Sequence, residues 1–173
     1  MDSFFELAKS RFSCRAFADA PVEDEKIEKM LEAASFAPTA RNFQPQKLYV
    51  VRNEQMRKKL AEVSPCTFGA PVIFVVCYDE TRASESRIYE GHNFGTTDAA
   101  IVCSHLVFEA AELGLGTCWV GWFAEKEVKE VLGLPENIRV CNLLPVGYAS
   151  EAAKPSVMHT TYRPKEETVE YID

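Results

Sequence analysis

Residues 71–78 read PVIFVVCY, an unbroken apolar run of eight rich in β-branched side chains. The run is too short for a free-standing helix and lacks polar alternation, so it predicts a strand buried on both faces. Such a strand needs helices covering each side of its sheet. The chain supplies helix patterns over about 2–10, 23–36, 53–63, 97–113 and 125–132. In the second, Ile27, Met30, Leu31 and Ala34 fall at i, i+3, i+4 and i+7, and Pro38 stops it. Asp2 or Ser3 caps the first. The fourth carries Ile101, Val102, Leu106, Val107 and Phe108, a wide apolar surface for a central position, with Asp98 at its positive start and Gly114 ending it. Further strands are expected at 47–52, 117–122 and 140–148. A weak helix signal covers 164–171 with Pro164 at N1. Residues 79–96 lack periodicity and read as a mobile flap. Alternating helices and apolar strands argue α/β or α+β, in one domain over residues 1–173 or half of an intertwined pair.

The net charge of −7 sets an acidic surface that repels phosphate backbones, so no nucleic-acid partner is expected. No apolar run approaches membrane-spanning length and no secretory leader is visible, so neither a membrane nor export is expected. The six cysteines form no CxxC pair and sit mostly in apolar stretches, reading as buried thiols in a reducing cytoplasm. GLGTCW at 114–119 fails as a dinucleotide fingerprint, because its third glycine position holds Trp119 and it follows a helix. The three histidines share no metal spacing. With no nucleophile motif and no metal cluster, a borrowed cofactor is the simplest source of chemistry.

Four pieces suit such a cofactor. Arg11, Ser13 and Arg15 place two guanidinium forks around a hydroxyl, matched to a phosphate, although spacing alone reads more readily as a solvated pair. Residues 38–45, PTARNFQP, join a helix to a strand with small residues and two amides suited to a flat polar-edged ring, or simply to a polar connection. Residues 117–122, TCWVGW, bring a strand glycine beside tryptophans that serve equally as ligand neighbours or as core. Arg163 is a fourth cation near the end of the chain.

In this order the pieces resemble the nitroreductase family of flavoproteins over nearly the whole chain. RFSCRAF resembles its opening R-x-S-x-R motif, and APTARNFQPQKLYVV its A-P-S/T-x-x-N-x-Q-P-W-x-F-x-V-V motif. ELGLGTCWVGWF, LLPVGYASE and YRPKEE resemble the segment after the central helix, the last strand and the tail. The resemblance implies an α+β fold, a mixed and mainly antiparallel sheet flanked by helices, in an intertwined homodimer with FMN at the subunit interface. It also implies FMN-dependent oxidoreductase activity, ping-pong, from NADH or NADPH to a nitroaromatic, quinone or similar small acceptor. Arg11, Ser13, Arg15 and Arg163 would hold the phosphate end. Pro38, Thr39, Ala40 and Asn42 would come from the second subunit. Gln44 and Lys47 would meet the pyrimidine edge. The Gly121 backbone N–H would face flavin N5 beside Val120 and Trp122, with no catalytic side chain. The chain departs from the pattern in having no lysine in EVSPCTFGAP, Thr161 where larger members have lysine, and Gln46 where an aromatic is usual. A reductive dehalogenation, another flavin reaction, or a flavin-binding protein with little catalysis are the alternative readings.

Overall fold

The computed structural model describes residues 3–172. Its centre is β2 (Val72–Asp79), in which every residue from Val72 to Tyr78 is buried, as the apolar run requires. β2 pairs antiparallel with β1 (Gln46–Val51) on one side and β4 (Ile138–Gly147) on the other. β3 (Gly116–Thr117) pairs antiparallel with β4, giving the order β1-β2-β4-β3. A single parallel bridge, Ser13 to Thr117, extends the sheet beyond β3.

Alternation along β2 divides the core in two. Val72, Phe74, Val76 and Tyr78 face α2 (Asp24–Ser35) and α4 (Gly95–Glu112). Ile73, Val75 and Cys77 face the cluster that holds Leu60 of α3 (Glu54–Val63) and Val128 of α5 (Glu125–Leu132). The buried positions of α4, among them Asp98, Ala99, Val102, Cys103, Leu106 and Ala110, recur every three or four residues. Phe108, on the other side, meets Phe4 of α1 (Phe4–Ser10) edge-on at 5.0 Å. Gly114 closes α4 with φ +75°, and the Leu115 N–H reaches the Ala110 carbonyl at 2.8 Å.

Several boundaries differ from the sequence expectation. Ser3 caps α1, its Oγ accepting from the Glu6 N–H at 3.3 Å; Asp2 lies outside the described residues. The strand expected over 117–122 is broken. Cys118 N–H donates to the Pro145 carbonyl, but proline has no N–H to return, so the ladder lapses and resumes only at the Val120–Leu143 bridge. The expected flap is anchored at its base: Ala83 and Ser84 are buried, a bridge joins Glu85 to Asn93, and α4 starts at Gly95, two residues early. The tail helix shrinks to α6 (Lys165–Thr168) with Pro164 as its cap, because no residue of that turn is buried.

Gly95 seats the start of α4 directly on the Tyr78 ring, where an added Cβ would overlap ring carbons. Gly95→Ala is therefore expected to destabilise the fold by about 1–3 kcal/mol despite alanine's better helix propensity. A urea midpoint equal to the parent's would refute this packing.

Candidate functional site

The Arg11–Arg15 stretch leaves α1 in extended form and lies along β3. Cys14 is the inward residue: it is fully buried, and its N–H donates to the Thr117 carbonyl at 2.8 Å. Gly116 permits this approach, since a Cβ there would stand 2.8 Å from both Cys14 Cβ and Sγ. With Cys14 inward, the period-two alternation turns Ser13 and Arg15 outward. Arg11, Ser13 and Arg15 line a cleft of about 280 Å³ with Phe12, Ser156, Met158 and His159. Arg15 Nη1 donates to the Ser13 carbonyl at 3.4 Å. Among the described residues no carboxylate pairs with Arg11 or Arg15, although the chain as a whole is acidic. Two unpaired guanidinium groups in a concave site form an anion receptor. Burial pushes the Cys118 thiol above its ordinary value, against the opposing pull of Arg15 and Arg11. Arg163 is exposed in the tail and does not line this cleft.

On the same edge of the sheet, Val120 is buried and Gly121 and Trp122 are exposed. A Cβ at Gly121 would meet nothing within 4 Å, so its backbone borders open space. Trp122 is 73% exposed, which excludes it from the core, and Trp119 is also exposed. The fully buried Ser64 pins this stretch by donating its Oγ to the Trp122 carbonyl at 3.0 Å. From Thr117 to Gly121 is about 13 Å of extended chain.

The loop of residues 38–45 stands elsewhere. Arg41, Asn42 and Gln44 all adopt left-handed backbone, at φ +54°, +56° and +49°. Such conformations disfavour non-glycine residues, asparagine least, and concentrate at functional sites. The loop is braced from within: the Gln44 N–H reaches Thr39 Oγ1 at 3.0 Å, and Gln44 Nε2 donates to Asn42 Oδ1 at 3.1 Å. It is braced from below by Asp98, whose Oδ1 accepts from the Ala40 N–H at 2.9 Å while its buried Oδ2 has no partner. Pro38, Asn42, Gln44 and Lys47 are exposed, and Thr39 and Ala40 half-buried.

Within one chain these two regions are far apart. Gln46 and Lys47 belong to β1 at one sheet edge, beside the end of β2, at Tyr78 and Cys77. Ser13 lies beyond β3 at the other edge, in register with Val146 and Val72 at the start of β2. Four strand spacings across the sheet already separate them by roughly 19 Å. The structure thus brings Arg11, Ser13 and Arg15 together, places Val120, Gly121 and Trp122 along the same edge, and sets Pro38, Thr39, Ala40, Asn42, Gln44 and Lys47 apart. Nothing in the sequence singles out Asp98, Ser156 or His159 for this site; no spacing marks them, because tertiary packing alone delivers them.

The fold is thus an α+β domain with an arginine-lined cleft on one sheet edge and a strained polar loop on the other. The Nitroreductase family model matches residues 8–68 and 64–148, and the chain belongs to the nitroreductase family. It is similar to a nitroreductase family protein from Clostridium difficile 630, with a TM-score of 0.92 and 36% identity over 98% of each chain. An FMN-dependent nitroreductase from Clostridium difficile R20291 superposes with a TM-score of 0.79 and 25% identity, over 98% of this chain and 99% of that one. The FMN reductase (NAD(P)H) of Bacillus subtilis is 29% identical over 163 residues, 83% of this chain and 65% of its own.

Proposed function

We propose that this chain is an FMN-dependent oxidoreductase drawing on NADH or NADPH and serving a small oxidised acceptor such as a nitroaromatic or quinone. The observation that carries the reading is the pair of unpaired arginines, with Ser13, on the same edge as the open Gly121 backbone. Family membership supports it, as do the relatives named for FMN and NAD(P)H.

The residues present suit FMN. Arg11, Ser13 and Arg15 would hold its phosphate, and Gly121, with no side chain, would let the ring lie against the backbone near Trp122. When bound, FMN would supply the redox chemistry, hydride acceptance from NAD(P)H and electron transfer to the acceptor in ping-pong order. The chain's own groups hold the phosphate charge, orient the ring at the β3 edge and offer a backbone N–H donor there.

The site is completed by a second copy. Pro38, Thr39, Ala40 and Asn42 are too far from the cleft of their own chain to close it, so the partner's loop serves. Gln44 and Lys47, on that same loop and strand, would reach the pyrimidine edge from the partner. Exposed apolar side chains such as Phe5, Phe36, Val157, Tyr162, Tyr171 and Ile172 support an extensive contact between copies. One domain spans the chain in each protomer. The free cysteines among the described residues suit a reducing cytoplasm, and no described helix is long and apolar enough to cross a membrane.

Purified protein is expected to show a flavin absorbance that bleaches when NADH or NADPH is added without oxygen, and to sediment as a dimer. A flavin spectrum untouched by either nucleotide would move the reading to a flavin carrier. Protein that takes up no FMN would end it.

A further inference from the structure

The turn Val157–Thr160 folds back over the end of α1, and two of its residues, Met158 and His159, line the cleft. His159 lines it with Arg11, Ser13 and Arg15. It is half-buried, while Val157, Met158 and Thr160 are exposed. Two contacts fix its ring: Nε2 lies 3.2 Å from the Lys9 carbonyl oxygen, and the ring stands edge-on to Phe12 at 6.5 Å between centroids. A carbonyl has no proton to give, so Nε2 is the donor. The nitrogen left for an anion is Nδ1. In a neutral ring it carries a bare lone pair, which repels phosphate oxygens; in an imidazolium it is a charged donor.

The charged groups on the surrounding elements are Arg11 and Arg15 of the edge segment and Glu6 and Lys9 of α1, and no carboxylate lines the cleft among the described residues. The tail cation expected from the sequence, Arg163, does not line it either. A phosphate monoester carries up to two negative charges, and opposite charge at hydrogen-bond distance favours the charged ring.

We propose that His159 is a fourth phosphate-binding side chain of the cleft, beside Arg11, Ser13 and Arg15, and that loading FMN draws a proton from solvent onto its imidazole. The inference rests on the FMN reading above. It assigns phosphate recognition to a histidine the turn carries inward, and it couples cofactor loading to proton uptake.

The test is calorimetric titration of FMN into apoprotein, in two buffers of different ionisation heat, for the parent, H159Q and H159K, with riboflavin as the phosphate-free ligand. The glutamine of H159Q keeps an amide donor for the Lys9 carbonyl but cannot become charged. The parent is expected to bind FMN about tenfold or more tightly than H159Q. It is also expected to take up more protons than H159Q on binding FMN. Riboflavin should bind both alike, and H159K should recover FMN affinity without the extra proton. Equal FMN affinity and equal proton counts in parent and H159Q overturn the proposal and leave the FMN reading standing. An equal loss for riboflavin and FMN also overturns it, since that is the signature of a merely structural residue. A parent that binds no FMN removes the reading beneath it.

Discussion

Protein carrying Arg11→Ala together with Arg15→Ala is expected to leave purification colourless. A hydrogen bond to a charged group contributes about 1.5–3 kcal/mol, so each arginine alone should account for roughly tenfold to a hundredfold in FMN affinity. Their joint loss removes both guanidinium groups from the cleft and takes the formal charge from −7 to −7 − 2 = −9. What remains is Ser13 and His159 facing a phosphate in a more acidic protein. The fold should tolerate the change, because neither arginine holds an ion pair among the described residues and the segment is fixed by Cys14 and Gly116. Thermal midpoints of the apoproteins should therefore agree, with any difference within that of an ordinary surface substitution, about 0.5 kcal/mol. Arg15→Lys keeps the charge and loses the fork, and should fall between parent and alanine. Titration followed by quenching of flavin fluorescence reads all three. An Arg11→Ala/Arg15→Ala protein that holds FMN like its parent would place the phosphate elsewhere.

The physics of what is legible in the sequence is uneven. β2 is plain because a strand buried on both faces must be apolar throughout, and no other short element shares that pattern. α2 follows from its periodicity, and the buried Ile27, Met30 and Ala34 are residues that periodicity names. The break after Thr117 is not legible. It depends on which residue of β4 stands opposite, and only the register shows that Pro145 meets Cys118. The sequence also leaves the tryptophans open between core and ligand edge, and burial takes Trp122 out of the core. At the site, the spacing of Arg11, Ser13 and Arg15 alone reads as a solvated pair, and only the family motif points to them; the fold then sets all three along one cleft. From the sequence Asp98 reads as a charge favouring a helix start. In the fold it is the brace under Ala40, a contact across 58 residues of chain that no local pattern encodes. Spacing says of His159 only that it has no metal partner, and its place in the cleft comes from the tail turning back onto Lys9.

The distance between the two halves of the proposed site makes a stronger demand than any single substitution. If the arginine cleft of one protomer is closed by the loop of the other, then two variants that each fail alone should restore binding when mixed. One variant carries Arg11→Ala and Arg15→Ala. The other carries Thr39→Ala and Asn42→Ala, which remove the side chains bracing Gln44 and leave the left-handed loop without those two side-chain hydrogen bonds. In a mixed dimer one site receives both lesions, and the other receives an intact cleft from the second variant and an intact loop from the first. With random pairing half of the dimers are mixed and each carries one sound site, so FMN occupancy should return to about a quarter of the parent's. The gain is from near nothing, so it is large against background, and it appears only if subunits exchange or are made together. Each variant prepared alone should stay empty. A site built within one chain predicts the opposite: every protomer would keep its own lesion, and mixing would restore nothing. Separately tagged copies, co-expressed and isolated by sequential affinity steps, sharpen the comparison, since the purified mixed dimer should then hold about one FMN per two chains. An empty mixed dimer would return the loop and the arginines to separate functions, and the strain at Arg41, Asn42 and Gln44 would need another explanation.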